Sequence, residues 1–365
     1  MTRFDPKDKS LLQLADSVVV VSGGSTGIGA AVVSQLTLQG AKVVIGDVTE
    51  PSHDLASVGD VTFIHTDVRK YQDIIHLFDT ALSKHGRVDH AIAAAGTEAR
   101  RGSAFDPKAG IEGIRQGPPE EDDTVLEING RGTLWFSHVA VQYLSHGDGG
   151  GGASEAKPED GGNYRNKSLT LTASIASWLE FSGLVAYQAS QHSVLGIVRS
   201  LRRYLPAAFG DKIDGGIRIN SVSPILTYDS NGNDKDKQTL PVATEATQKA
   251  WAEAGLEASS PLDVAQVIVG CARAGRGTQA IWYDGKDAPG LRKRAHYGAM
   301  DWVHDEPEAR GMNGRNWVLI GGKNYDTEES YDRTMDLWLG GPPAAHVREA
   351  LRVLGPAGDW VKGQQ

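Results

Sequence analysis

Cysteine is almost absent from this sequence. Cys271 is the single one in 365 residues, so no disulfide can form within the chain. That fits a reducing compartment and makes the cytoplasm the expected location. It also excludes a cysteine-built zinc site, and the eleven histidines form neither an HExxH pair nor a metal-type pairing with acids. No run of 18 apolar residues and no secretory leader is present, so neither a membrane span nor export is expected. Positive charge is scarce as well. The net charge is −9, and the basic clusters at 100–101 and 292–294 are too short to recruit nucleic acid or an anionic membrane. GxSxG is missing, so a hydrolase nucleophile elbow has no support, and no internal repeat is found.

What is present is an alternation. Short apolar runs at 17–24, 42–47, 61–67 and 88–96 are separated by segments with helical apolar spacing at 27–40 and 74–86. The second half continues with a long helix at 123–144, a strand at 168–174, a helix at 185–205, a strand at 216–223, a helix at 261–274 and a last strand at 316–322. The strand runs are too apolar to face water on either side. That predicts an α/β fold: a doubly wound, Rossmann-type parallel sheet of seven strands with helices on both faces, in one domain with long inserted loops. Residues 1–16 read as an N-terminal extension, 17–275 as the domain, 276–315 as an inserted loop or lid, and 316–365 as the final strand and a tail. Residues 97–120 read as a long loop. The glycine-rich stretch 146–167 reads as a flexible insert. Cys271 lies in an apolar helix pattern and reads as core rather than as a reactive thiol.

The turn after the first strand, "SGGSTGIG" (22–29), carries the clearest chemistry. Gly23, Gly27 and Gly29 are spaced so that the backbone turns tightly, approaches a pyrophosphate and lets the helix pack against the strand. The helix N-terminus then offers unpaired N–H groups to the phosphates. The context, strand before and helix after, is what gives the glycine trio its weight. Asp47 closes the second strand. A carboxylate there accepts from both ribose hydroxyls of an adenosine and repels a 2′-phosphate, and no Arg or Lys follows in "DVTEP". NAD is therefore expected rather than NADP.

With these pieces placed, the chain resembles the short-chain dehydrogenase/reductase family over about residues 15–275. The loop 22–29 is similar to its TGxxxGIG cofactor motif, with Ser22 for the threonine, which implies cofactor contacts from Gly23, Ser25, Thr26, Gly27, Ile28 and Gly29. Asp67 and Val68 resemble its adenine-contacting pair. "AAAG" (93–96) stands where the family has NNAG, placing Ala94 and Gly96 at the cofactor. "SPILT" (223–227) replaces its PG turn and brings Pro224, Ile225 and Thr227 to the nicotinamide. Asn129 matches the family's helix asparagine, and Ser174 precedes Tyr187 by the thirteen residues usual for its Ser–Tyr pair. The long loops and the ending at 325–340 resemble NAD-dependent fungal alcohol dehydrogenases of the secondary-metabolite type. The resemblance implies that Tyr187 gives or takes the proton, Ser174 holds the substrate oxygen, and Asn129 anchors a proton-relaying water. It also implies a homodimer or homotetramer built through the helices at 123–144 and 185–205, and a small-molecule substrate.

One residue breaks the pattern. Gln191 stands four positions after Tyr187, on the same helix face, where the family has a lysine. A cation about 5 Å from the phenol at an effective dielectric of about 20 is worth roughly 3 kcal/mol, or about two pKa units. Gln191 still offers an amide to a ribose hydroxyl but no charge. His192 is turned about 100° away, and Arg131 is a cation with either a cleft-facing or a solvent-facing placement. Ala93 and Ile225 depart from the family in the same half of the site. Trp178, Leu179, Phe181 and Leu184 either line an apolar substrate pocket or pack under a loop. Glu180 is either a pocket contact or exposed, and Tyr228 and Trp251 flank a region that the resemblance makes a lid position.

Three functions follow as candidates. The first is a NAD(H)-dependent oxidoreductase interconverting an alcohol and a ketone on a mid-sized apolar molecule. The second is a non-redox cyclase, isomerase or dehydratase that retains the dinucleotide, and the third is a non-catalytic dinucleotide-binding subunit.

Overall fold

A computed structural model describes residues 2–3, 5–7, 11, 13–57, 59–97, 108–117, 120–146, 166–209, 216–227, 245–274, 281–282, 313, 315–320, 322–328, 341–345 and 347. Its strands are β1 (Thr2–Arg3), β2 (Val18–Ser22), β3 (Lys42–Asp47), β4 (Val61–His65), β5 (His90–Ala93), β6 (Ser168–Thr172), β7 (Arg218–Pro224), β8 (Ile281–Trp282), β9 (Asn316–Ile320) and β10 (Lys323–Asp326). Its helices are α1 (Gly27–Thr37), α2 (His53–Ser57), α3 (Tyr71–His85), α4 (Gly110–Arg115), α5 (Glu120–Val125), α6 (Thr133–His146), α7 (Val185–Phe209), α8 (Glu245–Glu253) and α9 (Pro261–Arg273). The sheet runs β4-β3-β2-β5-β6-β7-β9-β10-β1-β8.

The seven strands from β4 to β9 are parallel, as the alternating pattern predicts. Register is set by apolar runs that must be buried on both faces. Val20 pairs with Val44 on one side and Ala91 on the other, and all five residues of β2 are buried. One face packs under α3, α6 and α7 through residues such as Ile74, Phe78, Phe136 and Val198. The other packs under α1 and α9 through Val33, Leu36, Ile268, Cys271 and Trp317. Cys271 is fully buried, and burial pushes its thiol up to about 12, so it is a core residue. The helix that carries it starts with a reciprocal cap: Ser260 Oγ accepts from the Asp263 N–H, and the Asp263 carboxylate accepts from the Ser260 N–H.

The sequence-based expectation is corrected in three places. The sheet is wider than seven strands, because β10, β1 and β8 extend it with antiparallel pairings. These strands are two to four residues long, too short to show a period, and "KNYD" is polar. The N-terminal segment read as an extension is thus partly sheet, and Leu11 and Leu14 enter the core. The region 97–120 read as loop contains α4 among its described residues. The long helix at 123–144 is helical from 120 to 146, but residues Leu126–Gly132 form a π-helical segment between α5 and α6. Residues 98–107, most of the insert (147–165), Tyr228 and most of 276–315 lie outside the described residues.

Candidate active site

The parallel order reverses between β2 and β5, and the loops leaving the C-terminal ends of these strands meet there. Gly23 donates its N–H to Gly46 O at 2.7 Å, and Ala94 donates to Ser22 O at 2.9 Å, which joins the loops after β2, β3 and β5. Gly23 has φ +70° and lies against the backbone of Ala94 and Ala95. A Cβ on Gly29 would overlap the carbonyl oxygen of Gly23, so α1 can start this close to the strand only without a side chain there. The α1 N-cap, Thr26, makes no side-chain capping bond, which leaves the first-turn N–H groups to a ligand. Asp47 reaches back into this cradle: its Oδ2 accepts from the Ser25 N–H at 3.1 Å and its Oδ1 from the Thr49 N–H at 3.1 Å.

Asp67 and Val68 follow β4 at the same edge. Arg69, which sequence reasoning passed over, donates to the Asp67 carboxylate from Nε at 3.0 Å and from Nη2 at 2.7 Å. Those hydrogen bonds hold the Asp67 carboxyl below the usual carboxylate range. Val68 is buried against Gly132, where a Cβ would crowd its side chain.

Asn129 lies in the π-helical segment, and single π turns of this kind recur at functional sites. Its Oδ1 accepts from the Thr97 N–H at 2.8 Å, and its Nδ2 donates to Thr97 O at 2.8 Å and to Ser190 Oγ at 3.3 Å. Ser190 in turn donates to the Tyr187 carbonyl at 2.7 Å. The helix asparagine, the loop after β5 and the tyrosine helix are therefore one hydrogen-bonded unit. Ser190, three residues after Tyr187, shares its face of the helix, a signal the sequence carried.

Ser174 is buried and caps a short 3-10 turn, Ile175–Ser177, by accepting from the Ala176 N–H at 3.2 Å. Because that bond uses a lone pair, the Ser174 O–H keeps its proton to donate. The turn is tied to α7 by Ser177 Oγ, which donates to the Gln191 carbonyl at 2.9 Å. Tyr187 is half-buried on the first turn of α7. Gln191 is 6% exposed, and its Oε1 has no hydrogen-bond partner.

The remaining candidates separate. His192 is exposed, with Nδ1 2.9 Å from Gln188 O. Arg131 turns to Glu127 at 2.7 Å and lies over the Trp135 ring. Glu180 and Leu179 are exposed, and Trp178 is half-buried. Pro224 ends β7. Ile225 donates its N–H to Leu319 O at 3.2 Å and is half-buried, and Thr227 is buried beside Ser259. Trp251 is half-buried on α8.

Three buried polar atoms without partners lie on segments that the motifs assign to a dinucleotide: Ser25 Oγ in the glycine loop, Gln191 Oε1 after the tyrosine and Thr227 Oγ1 after β7. A buried polar atom lacks a partner elsewhere too, Thr170 Oγ1 in β6 for one, so it is the position of these three, and not their being unpartnered, that leaves polar groups for a ligand here. With the glycine cradle, they fit a dinucleotide. Among the described residues no cluster of His, Cys, Asp and Glu fits a metal ion, and no helix is long and apolar enough to cross a membrane.

Known proteins similar to this chain in sequence include several of one kind. The family model described as short chain dehydrogenase matches residues 17–153. The chain is 30% identical over 230 residues to short-chain dehydrogenase/reductase ascJ of Acremonium egyptiacum, covering 62% of this chain and 69% of that protein. It is 29% identical to short-chain dehydrogenase/reductase prx4 of Penicillium roqueforti, spanning 59% of that relative's length. A longer match, 27% identical over 91% of this chain and 94% of the other, is to short chain aldehyde dehydrogenase 1 of Euphorbia lathyris. Among solved structures, a 3-oxoacyl-(acyl-carrier protein) reductase from Brucella melitensis in complex with NAD superimposes with a TM-score of 0.55 at 22% identity, covering 71% of this chain and 90% of that one.

Proposed function

Because the chain belongs to the short-chain dehydrogenase/reductase family, we propose that it is a NAD(H)-dependent oxidoreductase that interconverts an alcohol and a ketone on a mid-sized apolar small molecule. The observation that carries this reading is the glycine cradle after β2, where a Cβ on Gly29 would overlap the Gly23 carbonyl oxygen, with unpartnered polar atoms at Ser25 Oγ in that loop, Gln191 Oε1 on α7 and Thr227 Oγ1 after β7. Gly23, Ser25, Thr26, Gly27, Ile28 and Gly29 hold the pyrophosphate. Asp47 takes the adenosine ribose, Asp67 and Val68 the adenine edge, and Ala94, Gly96, Pro224, Ile225 and Thr227 flank the nicotinamide. The bound dinucleotide supplies the hydride chemistry. The NAD bound by the Brucella melitensis reductase, and Asp47 beside the Ser25 N–H, support NAD over NADP.

In this reading Ser174 donates its O–H to the substrate oxygen, and Tyr187 gives or takes the proton at that oxygen. Gln191 pairs with a ribose hydroxyl through an amide that both donates and accepts. Asn129 fixes the Thr97 backbone and, through Ser190, the first turn of α7. The apolar side chains Trp178, Leu179, Phe181 and Leu184 form the substrate wall. A homodimer or homotetramer is supported by the exposed Leu126 and Leu134 on the helices that would pair. A cytoplasmic location fits the lone buried thiol, and the resemblance of the long loops to fungal alcohol dehydrogenases supports a place in secondary metabolism.

The test is NADH oxidation, followed by its absorbance, with a panel of apolar ketones. Turnover that Tyr187→Phe abolishes supports the reading. The uncharged Gln191 beside Tyr187 favours a second reading, a non-redox cyclase, isomerase or dehydratase on the same scaffold. Substrate conversion with no change in cofactor redox state would establish that one instead. A chain that binds dinucleotide and converts nothing would be a non-catalytic subunit.

A further inference from the structure

Glu328 lies just beyond β10, far in sequence from every residue of the site, and is 2% exposed. A buried carboxylate is costly unless it is fully paired. Here two arginines of α7 pair it. Arg199 donates from Nε to Oε2 at 3.0 Å and from Nη2 to Oε1 at 3.1 Å, and Arg202 donates from Nη1 to Oε2 at 2.8 Å. The backbone under Glu328 is fixed as well, because its N–H donates to Asp326 Oδ1 at 3.1 Å and Asp326 Oδ2 accepts from Arg315 Nη1 at 2.6 Å.

The same Arg199 guanidinium lies over the Trp178 ring, 4.5 Å from its centroid. A guanidinium held by a carboxylate on its edge presents its flat face to an aromatic ring in a defined place. Trp178 is the C-terminal cap of the 3-10 turn Ile175–Ser177, whose N-terminal cap is Ser174. The Trp178 N–H donates to Ile175 O at 2.9 Å, and the next N–H, of Leu179, reaches the same oxygen at 3.0 Å. Beyond it, the Gln188 side chain ties the loop to α7 by donating to Leu179 O at 2.8 Å and accepting from the Phe181 N–H at 3.2 Å. One end of the 174–181 segment is thus locked by a residue adjacent to Tyr187. The segment's middle is held by the Trp178 ring, four residues after Ser174, under a guanidinium that Glu328 anchors.

We propose that Glu328 is a positioning residue for substrate binding: acting through Arg199, it sets the Trp178 ring as a wall for the apolar body of the substrate beside Ser174. The proposal rests on the oxidoreductase reading of this site. A buried pair of this kind often adds little net stability over apolar replacements, which leaves room for a positional role.

The decisive measurement is a double-mutant cycle of Glu328→Gln and Trp178→Leu, with the panel ketone of lowest KM. Glu328→Gln alone raises KM about tenfold, leaves kcat within about twofold and leaves NADH affinity unchanged, the signature of lost uniform substrate binding. The double variant is no worse in KM than Trp178→Leu alone, because Glu328 acts through the ring. Additive effects, or an unchanged KM, overturn the proposal. If Glu328→Gln does not fold, Arg199→Lys keeps a charge for Glu328 and loses the flat face, and the same split between KM and kcat is expected. An optical arm needs no turnover. Emission assigned to Trp178 by difference from Trp178→Phe becomes more accessible to acrylamide in Glu328→Gln, and unchanged quenching overturns the latch. A wild-type protein that reduces no ketone sinks the oxidoreductase reading while leaving the quenching result to decide the latch.

Discussion

Asn129 grips the backbone of Thr97 at both its N–H and its carbonyl oxygen, each at 2.8 Å. This bidentate clasp sits in the one π-helical segment among the described residues and fixes the loop after β5 against α7 through Ser190. Asn129→Asp keeps the size and the acceptor but places a carboxylate against the Thr97 carbonyl. The lost donor and the new repulsion should cost about 1–3 kcal/mol of stability, read as a lower denaturation midpoint. Activity should fall by about tenfold or more in kcat/KM, because the loop after β5, which the proposed function sets beside the cofactor, loses its anchor. An Asn129→Asp protein with wild-type kinetics would place the clasp outside the catalytic geometry.

Gln191 tests the electrostatic side of the site. It is buried, and its Oε1 has no partner, so a lysine at this position reaches the same space with a charge. Gln191→Lys should raise neutral-pH turnover about tenfold and move the rising, acid-side limb of the alcohol-oxidation profile down by about two pH units, as expected for a cation about 5 Å from a phenol that must ionise to act as base. A pH–rate profile of both proteins checks this. Loss of activity in the lysine variant would instead mean that the site is rebuilt around the amide.

Much of this architecture was legible because the signals are local. The valine run of β2 and the glycines that follow it demand a doubly buried strand and a tight turn into a helix, and both are found. The positions of Ser174, Tyr187 and Asn129 came from motif spacing. What was not legible depends on chain segments meeting across long distances. Arg69 reads as a surface residue until it is seen clamping Asp67, and Glu328 as one acid among forty-six until α7 brings Arg199 and Arg202 to it. The π-helical segment was hidden because a one-residue expansion of a helix leaves the apolar spacing nearly intact. The antiparallel extension escaped because two-residue strands have no period to read.

Asp47 should govern cofactor choice. Its carboxylate accepts from the Ser25 N–H at the mouth of the glycine loop, where an adenosine ribose would lie. Asp47→Asn removes the charge that repels a 2′-phosphate and weakens the bond to Ser25. Titration by NADH and NADPH fluorescence should show NADH binding about tenfold weaker and the preference for NADH narrowed or reversed. An unchanged ratio of the two affinities would reduce Asp47 to a turn residue.

His90 predicts the acid limit of the fold. It is buried in β5, with Nδ1 2.8 Å from Ser168 Oγ. Burial pushes its pKa down to about 3, Asp89 opposing and Arg218 and Lys167 adding to the fall. Asp89 itself accepts from Lys167 at 3.1 Å, from Arg87 at 2.8 Å and from the Val18 N–H, so its negative charge is already engaged. Between about pH 6.5 and 3 the unfolded chain binds a proton at His90 and the folded chain does not. Stability therefore falls as pH drops through that window, with a limiting slope of about 1.4 kcal/mol per pH unit from this group. His90→Gln keeps a side chain able to meet Ser168 and cannot titrate. Its denaturation midpoint should change less than that of the wild type between pH 6.5 and 4.5, even if it is lower at pH 7. Parallel curves for the two proteins across that window would show that His90 is not the group that limits the fold in acid.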